Sequence, residues 1–184
     1  MQKLTLLKNR KQKGFTLTEI LLVLVIAAAI VISAFIIYPK VQASARAEAE
    51  SKNIATIVAG VKALYTSTSS YTGITKAILV NAKVFPDNML SGTGASATPI
   101  NSWKGAVDVA ADTINNAGDA FTITYNGVPT AECVKMVSGM AGNFDSVGVN
   151  GTKVKASGAA LNVATTASSC AANTSTNVLT FTSY

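Results

Sequence analysis

The sequence predicts an α+β fold in which one long N-terminal helix packs on an antiparallel β-sheet. Three observations support this prediction: an apolar run near the N-terminus, a helical apolar pattern that continues beyond it, and strand patterns of period two in the second half of the chain. With 184 residues, the chain suits one domain plus an appendage. A helix over residues 15–67 would be roughly 80 Å long, so one small domain can bury only part of it.

The apolar run covers residues 20–37 and contains a single polar residue, Ser33. At ~1.5 Å per residue it measures roughly 27 Å, which is close to the thickness of a membrane's hydrocarbon core. Five bases and no acid lie in the first fourteen residues, and the positive-inside rule places such a terminus in the cytoplasm. These bases are Lys3, Lys8, Arg10, Lys11 and Lys13. We therefore expect one membrane span, and an exported globular domain at residues 68–184.

Three hypotheses explain this N-terminal segment. The first is a plain signal anchor. The second is a cleaved signal peptide, because Ala43-Ser44-Ala45 is a small-x-small site that would release a domain beginning at Arg46. Against the second hypothesis, the apolar run exceeds the usual signal-peptide length of about 7–15 residues. The third hypothesis starts from the residues directly before the run.

Residues 13–19 read KGFTLTE. This motif resembles the type III leader of type IV pilins, in which a short basic leader ends in Gly, an apolar residue follows, and a Glu stands four positions later. Gly14, Phe15 and Glu19 occupy these three positions. The resemblance implies that a prepilin peptidase in the bacterial inner membrane removes residues 1–14 and methylates the new amine of Phe15. It implies no cofactor.

Glu19 adjoins the apolar run, where an unpaired carboxylate is costly. Cleavage after Gly14 would create a positive amine on Phe15. In pilins the corresponding Glu meets the amine of a neighbouring subunit, so the resemblance implies an assembly role for Glu19. The alternative is that Glu19 is only an acid in the first helical turn, which the helix dipole favours. The two interpretations are compatible.

The helical pattern continues beyond the apolar run. Pro39 interrupts it and predicts a kink or local unwinding near residues 35–39. In type IV pilins a proline about one turn earlier accompanies a melted stretch of the filament. Charges of both signs follow along the next turns and predict a solvated face, and salt bridges between subunits are the alternative. The charged residues are Arg46, Glu48, Glu50 and Lys52, and the apolar positions are Ile54, Ile57, Val58, Val61, Leu64 and Tyr65.

The rest of the chain contains strand and helix patterns. Alternation of period two predicts strands at residues 106–110, 121–125 and 178–182, and a further strand within 147–154. A short helix is expected over residues 74–84. A second helix is expected to begin at Thr130, with Thr130 as its N-cap. Its apolar face is expected to pack on the sheet and contains Cys133, Met136, Val137 and Met140.

Cys133 and Cys170 are the two cysteines of the chain. An exported protein with two cysteines is expected to pair them. Their disulfide would close a loop of 38 residues, and the chain-entropy relation gives it a stabilisation of about 4 kcal/mol.

Two further segments extend the resemblance. Residues 121–133, FTITYNGVPTAEC, and residues 101–107, NSWKGAV, are similar to type IVb pilins, including those of conjugative thin pili. Lys104 stands where that group has Gly. The short leader and Phe15 are similar to type IVa pilins instead. The resemblance implies the pilin fold.

Composition excludes several classes of function. The chain has no His, which removes His-dependent general-base and metal chemistry, and two cysteines cannot form a four-ligand zinc site, so no metal is expected. Five of the 15 bases lie in the first fourteen residues, so ten remain against 9 acids. This near-neutral body does not indicate a nucleic-acid partner. We identify no carboxylate pair or activated nucleophile and therefore expect no enzyme.

We therefore expect a structural subunit, the major pilin of a type IV pilus, serving adhesion, aggregation or conjugative contact. Identical rods with an apolar end make contacts that do not close and so propagate into a helical filament. The expected partners are copies of the same chain, the prepilin peptidase and the pilus assembly machinery, first in the inner membrane and then at the cell surface. The alternatives are a minor pilin, a type II secretion pseudopilin or a pilus-tip binding module.

Overall fold

A computed structural model describes residues 14–173 and 176–184, and it begins with a long helix, α1 (Leu17–Leu64). The predicted basic leader, residues 1–13, lies outside the described residues. The chain divides into two compact units, residues 1–40 and residues 41–184. The confirmed fold class is a long N-terminal helix packed on a five-stranded antiparallel sheet.

The described part of the first unit is residues 14–40, which contain the N-terminal part of α1 and the three residues before it. By length and composition α1 is the one described helix that could cross a membrane. Pro39 lies inside α1 and does not end it, so the backbone near residues 35–39 is not locally unwound in this structure. A kink at Pro39 stays a prediction.

In the second unit, one face of α1 is buried at intervals of three and four residues. The buried positions are Ala43, Ala47, Glu50, Ile54, Ile57 and Val61. The predicted apolar face is therefore present, although Leu64 remains 42% exposed at the end of the helix. The predicted solvated face was wrong at Glu50, which is only 1% exposed. Glu50 belongs to the buried series by its spacing, and its charge is satisfied by a loop that is distant in sequence.

The five-stranded sheet consists of β3 (Val107–Asp112), β4 (Ala120–Val128), β5 (Ser146–Val149), β6 (Thr152–Lys155) and β7 (Asn177–Ser183). Its strand order is β3-β4-β7-β5-β6, and every neighbouring pair is antiparallel. Alternate residues face the core, for example Phe121, Ile123 and Tyr125 of β4. The opposite face is mostly polar and carries Thr122, Thr124 and Thr180 on its central strands.

Short elements connect α1 to the sheet. Helix α2 (Lys76–Asn81) is shorter than the predicted helix over residues 74–84, because Thr75 caps its start and Lys83 has a positive φ of 53° just beyond its end. The Thr75 hydroxyl accepts a hydrogen bond from the N–H of Ile78 at 3.3 Å. A two-stranded ladder follows, formed by β1 (Leu90–Ser91) and β2 (Thr98–Pro99).

Helices α3 (Thr130–Met140) and α4 (Val163–Ala171) complete the fold. The predicted face of α3 is buried, but Thr130 is not the N-cap. Pro129 takes that position in an extended conformation, and the Thr130 hydroxyl donates to the carbonyl of Cys170 at 3.1 Å instead. Helix α4 was not predicted. The single strand expected within 147–154 is a hairpin, because Asn150 and Gly151 form its turn with positive φ angles of 51° and 79°.

Candidate assembly site

Thr16 and Glu19 close the first turn of α1. The Glu19 carboxylate oxygen Oε2 accepts hydrogen bonds from the Thr16 N–H at 3.0 Å and from the Thr16 hydroxyl at 2.9 Å. The Glu19 N–H donates to the Thr16 hydroxyl oxygen at 3.3 Å. This is a capping box, whose sequence signature is a Thr followed three residues later by a Glu. The signature is present in the sequence, so the cap could have been predicted from it.

The two residues before this cap are open to solvent. Phe15 is 81% exposed, and Gly14 is exposed as well. A Cβ atom added to Gly14 would meet no atom within 4 Å. The fold of the described chain therefore does not require Gly at this position, and any requirement for it comes from another molecule.

The apolar run after the cap is exposed along its whole length. Its large apolar side chains are between 51% and 76% exposed. The Ser33 hydroxyl donates to the carbonyl of Ala29 at 2.9 Å, so the polar residue of the run is satisfied within the helix. Such a surface is stable only against lipid or against another protein surface. The exposed side chains are those of Ile20, Leu21, Leu22, Val23, Leu24, Val25, Ile26, Ile30, Val31, Ile32, Phe35, Ile36 and Ile37.

Glu50, which the sequence analysis placed on a solvated face, is a buried residue with a structural role. Its oxygen Oε1 accepts hydrogen bonds from the N–H of Ser102 at 2.8 Å and from the Ser102 hydroxyl. Its oxygen Oε2 accepts a hydrogen bond from the Asn53 side chain at 3.2 Å. Burial raises the pKa of Tyr125 above its ordinary value, and the nearby negative charge of Glu50 raises it further. The buried carboxylate thus holds α1 to the loop that leads into the sheet.

The loop around Ser102 is fixed by Asn101. The Asn101 side-chain oxygen accepts hydrogen bonds from the N–H groups of Trp103 at 3.0 Å and Gly105 at 2.9 Å, and its amide donates to the carbonyl of Asn126 at 2.7 Å. Lys104 has a φ of 66°, a left-handed conformation that favours glycine. The glycine that the resemblance leads us to expect at this position would adopt this φ without the steric cost of a Cβ atom.

Cys133 and Cys170 form the disulfide that the cysteine count predicts. Their Cα atoms are 5.9 Å apart, and the bond joins α3 to α4. Both cysteines are fully buried. The bridge therefore anchors the Ala-, Ser- and Thr-rich helix α4, which buries few side chains of its own.

The described residues contain no cluster of three or more His, Cys, Asp or Glu side chains that could hold a metal ion. Near its N-terminus, the described chain presents an apolar surface, a helix cap and the carboxylate of Glu19.

Comparisons with known proteins agree on one family. A family model described as PilS N terminal matches residues 44–184, and a prokaryotic N-terminal methylation motif matches residues 9–35. The major structural subunit of bundle-forming pilus from Escherichia coli O127:H6 is 24% identical over an alignment of 190 positions that covers 96% of each chain.

Two solved structures are similar to this chain. The type IVb pilin from Salmonella typhi has 30% sequence identity and a TM-score of 0.60, and the match covers 74% of this chain and 98% of that one. TcpA, a type IV pilin from Vibrio cholerae El Tor, shares the fold with a TM-score of 0.56 at 17% identity, covering 78% of this chain and 99% of TcpA.

Proposed function

The chain belongs to the type IVb pilin family, and on this premise we propose that its mature form is the major, repeating subunit of a type IV pilus. One observation carries the proposal: the N-terminal part of α1 exposes a continuous uncharged apolar surface over residues 20–37. Lipid can cover this surface in the precursor, and copies of the same helix can cover it in a filament. The family consists of structural subunits, and we propose no enzymatic activity.

We propose that the precursor is processed between Gly14 and Phe15. Residues 1–14 form the removed leader, residues 15–67 the long helix with its span at 20–37, and residues 68–184 the exported domain. Among the described residues nothing lies within 4 Å of a Cβ atom added to Gly14, so the described fold does not require this glycine, and we propose that the peptidase does. The methylation motif matched over residues 9–35 supports methylation of the Phe15 amine.

We propose that Glu19 takes part in assembly through its second carboxylate oxygen. Oxygen Oε2 is used by the cap with Thr16, whereas Oε1 has no hydrogen bond among the residues that the structure describes. The Oε1 atom can therefore receive the methylated Phe15 amine of a neighbouring subunit without breaking the helix cap. A kink at Pro39 would let the apolar part of α1 change direction within the filament.

The location follows from this proposal. The precursor lies in the bacterial inner membrane, anchored by residues 20–37, and meets the prepilin peptidase and the assembly machinery there. The mature subunit lies in an extracellular pilus, in contact with copies of itself.

Intact-mass analysis of filaments sheared from cells tests the function. We expect the most abundant species to begin at Phe15 and to carry one added methyl group. A mature chain that begins at Arg46 would overturn the processing proposal. If this chain is scarce in filaments that consist mainly of another pilin, the protein is a minor subunit.

Replacing Gly14 by Phe tests the cleavage site separately. We expect the variant precursor to accumulate in the membrane at its full mass, while Gly14→Ala is processed partly or fully. Normal processing of the Gly14→Phe precursor would place the cleavage site elsewhere.

A further inference from the structure

Side chains from two other parts of the chain hold the C-terminal end of α4. The Asn150 amide donates to the carbonyl of Ser169 at 2.9 Å. The Thr130 hydroxyl donates to the carbonyl of Cys170 at 3.1 Å. Both carbonyls lie in the last turn of α4, where a helix has no backbone donors of its own to offer them. The two peptide groups on either side of the Cys170 Cα atom are therefore both fixed from outside the helix.

Thr130 lies in the same helical turn as Cys133. The two residues are three positions apart at the start of α3, and residues at this spacing are neighbours on one helix face. The Thr130 hydroxyl thus joins the backbone of Cys170 to the turn that carries Cys133. This hydrogen bond brings the two cysteines together without using either sulfur atom.

Asn150 suits its contact by its backbone as well as by its side chain. It lies in the turn between β5 and β6 with a φ of 51°, a left-handed conformation that Gly adopts freely and Asn tolerates better than most residues. The side-chain oxygen of Asn150 accepts a hydrogen bond from the N–H of Val178 at 2.8 Å. Its own N–H donates to the carbonyl of Val178 at 2.8 Å. A glycine at position 150 would allow the same turn but would give α4 no donor.

Asn177 completes this set of polar contacts and is fully buried. Its side-chain oxygen accepts a hydrogen bond from the Asn150 amide at 2.7 Å. Its own amide donates to the carbonyl of Val128 at 3.0 Å and to the carbonyl of Asn173 at 2.6 Å. Val128 ends β4 just before α3, and Asn173 follows α4, so one side chain joins the segments beside both cysteine-bearing helices. We call Thr130, Asn150 and Asn177 the α4 clamp.

Apolar packing holds α4 only in part. The buried side chains of α4 are those of Thr166 and Cys170. Its N-terminal end is joined to the sheet by Asn162, whose N–H donates to the carbonyl of Val154 at 2.9 Å. This end carries no cysteine, so the position of Cys170 depends on what holds the other end of the helix.

We propose that the α4 clamp places Cys170 beside Cys133 before the disulfide forms. Its three members are therefore positioning residues for the oxidation of this chain, and they act whether or not the chain assembles into filaments. Oxidation joins two S–H groups into one S–S bond, releases two protons and passes two electrons to a disulfide-bonded oxidant, which becomes two thiols. The clamp raises the effective concentration of each thiol at the other.

Hydrogen exchange of the purified full chain in detergent micelles tests whether the clamp acts without the disulfide. The double variant Thr130→Val, Asn150→Gly removes both donors to α4, yet it keeps a β-branched residue in α3 and a residue that allows the left-handed turn. In wild type reduced with dithiothreitol, we expect α4 to stay protected from exchange to within about threefold of the oxidised chain. In the reduced double variant, α4 should exchange roughly tenfold faster or more.

The oxidised double variant should keep α4 protected, because the disulfide alone then holds the helix. Thr75→Val is the matched control, since it removes a hydroxyl that caps a different helix, α2. Its reduced form should protect α4 as wild type does. The amides of β4 are the internal reference and should stay protected in every sample. Loss of α4 protection in reduced wild type, or full α4 protection in the reduced double variant, would overturn the inference.

The equilibrium with glutathione gives a second measurement. Each chain is equilibrated with mixtures of reduced and oxidised glutathione, quenched with acid, alkylated and weighed by mass spectrometry, which gives the effective concentration of the two thiols. The double variant should lower this value roughly tenfold, because its reduced form releases α4 and the coupling between clamp and disulfide is reciprocal. Thr130→Ser keeps the hydroxyl and should match wild type.

Glu50→Ala separates positioning of the cysteines from overall stability. It removes a buried contact between α1 and the loop at Ser102, far in sequence from the clamp. Its effective thiol concentration should therefore stay within about twofold of wild type. Equal decreases in Glu50→Ala and in the double variant would show that overall stability, and not the clamp, brings the cysteines together, and so would an unchanged value in the double variant.

Discussion

Glu50 on α1 accepts two hydrogen bonds from Ser102, a residue 52 positions later in the chain. One comes from the main-chain N–H and the other from the hydroxyl, so a single carboxylate oxygen fixes both the backbone and the side chain of the loop. Because Glu50 is buried, these bonds form away from competing water. The contact joins the long helix to the entrance of the sheet and defines the first prediction.

Replacing Glu50 by Ala should destabilise residues 41–184 by about 2–3 kcal/mol, because it leaves the Ser102 donors without an acceptor and removes a buried side chain. The measurement is urea unfolding of that fragment. The matched control is Glu48→Ala, which removes an exposed carboxylate two positions earlier in the same helix and should leave the unfolding midpoint almost unchanged. Equal effects of the two substitutions would show that the Glu50 contact does not stabilise the fold.

Much of the fold could be predicted from the sequence, and Glu50 shows where prediction failed. Helix α1, its buried apolar positions and three strands follow from periodicity, which reports local geometry. Glu50 lies in the same buried series as Ala47 and Ile54, yet its charge indicated solvent. Its hydrogen-bond donors belong to Ser102, which is remote in sequence, and no local sequence pattern indicates such a contact.

Helix α4 could not be predicted for a different reason. Only Thr166 and Cys170 are buried in it, so its Ala-, Ser- and Thr-rich sequence has no apolar period. Its position depends on the disulfide and on the cap that the Asn162 side chain provides to the N–H of Thr165. In the candidate site, the sequence identified Gly14, Phe15 and Glu19, but the cap between Thr16 and Glu19 was overlooked although its spacing was visible.

The second prediction concerns the disulfide. Replacing Cys133 and Cys170 together by Ala should lower the free energy of unfolding by about 4 kcal/mol, because the unfolded chain is no longer cross-linked. The measurement is urea unfolding of residues 41–184, with the reduced wild-type fragment as the control that keeps both side chains. Alkylation of the native oxidised fragment should label neither residue. Labelling of either cysteine without reduction would contradict the pairing in solution.

The third prediction is a pH dependence that arises from Asp119. Hydrogen bonds from the backbone N–H groups of Ile114, Asn116 and Asn115 hold the pKa of Asp119 below its ordinary value. A lowered folded-state pKa stabilises the fold above the ordinary pKa, about 3.9, and this stabilisation is lost as the pH falls through the folded value. Asp119→Asn should therefore unfold more readily than wild type at pH 6.

The difference between wild type and Asp119→Asn should shrink as the pH falls through the folded-state pKa of Asp119, since the wild-type carboxyl group then becomes uncharged like the Asn side chain. Thermal unfolding at a series of pH values measures it. Asp87→Asn removes another exposed negative charge and serves as the control. A difference that stays constant from pH 2 to pH 7 would show that the three backbone bonds do not depend on the charge of Asp119.

The fourth prediction concerns the left-handed backbone at Lys104. Lys104→Gly should stabilise residues 41–184 by about 0.5–1 kcal/mol, because glycine adopts the observed φ of 66° without the steric cost of a Cβ atom. Lys104→Ala also removes the lysine side chain but keeps the Cβ atom, so it should give no such gain. Urea unfolding of both variants measures the difference. If the Gly and Ala variants are equally stable, any difference from wild type comes from the loss of the lysine side chain and not from the left-handed backbone.

The fifth prediction separates the two roles of Glu19. Glu19→Gln keeps a side chain that can complete the cap with Thr16 but removes the charge, whereas Thr16→Ala removes the hydroxyl of the cap and keeps the charge. If Glu19 pairs with the Phe15 amine of a neighbour, Glu19→Gln should be processed after Gly14 yet enter filaments poorly, since the amine loses its counter-ion. Thr16→Ala should assemble close to normally.

The measurements for Glu19 are the mass of the membrane-bound pilin, which reports processing, and the yield of sheared filaments. Glu19→Val should insert into the membrane at least as well as wild type, because the segment becomes more apolar, and it should share the assembly defect of Glu19→Gln. When Glu19→Val is co-expressed with wild type, a small amount of the variant should enter filaments, because it still offers its own Phe15 amine to a neighbour. Normal filaments from Glu19→Gln together with a defect in Thr16→Ala would assign Glu19 to the helix cap alone.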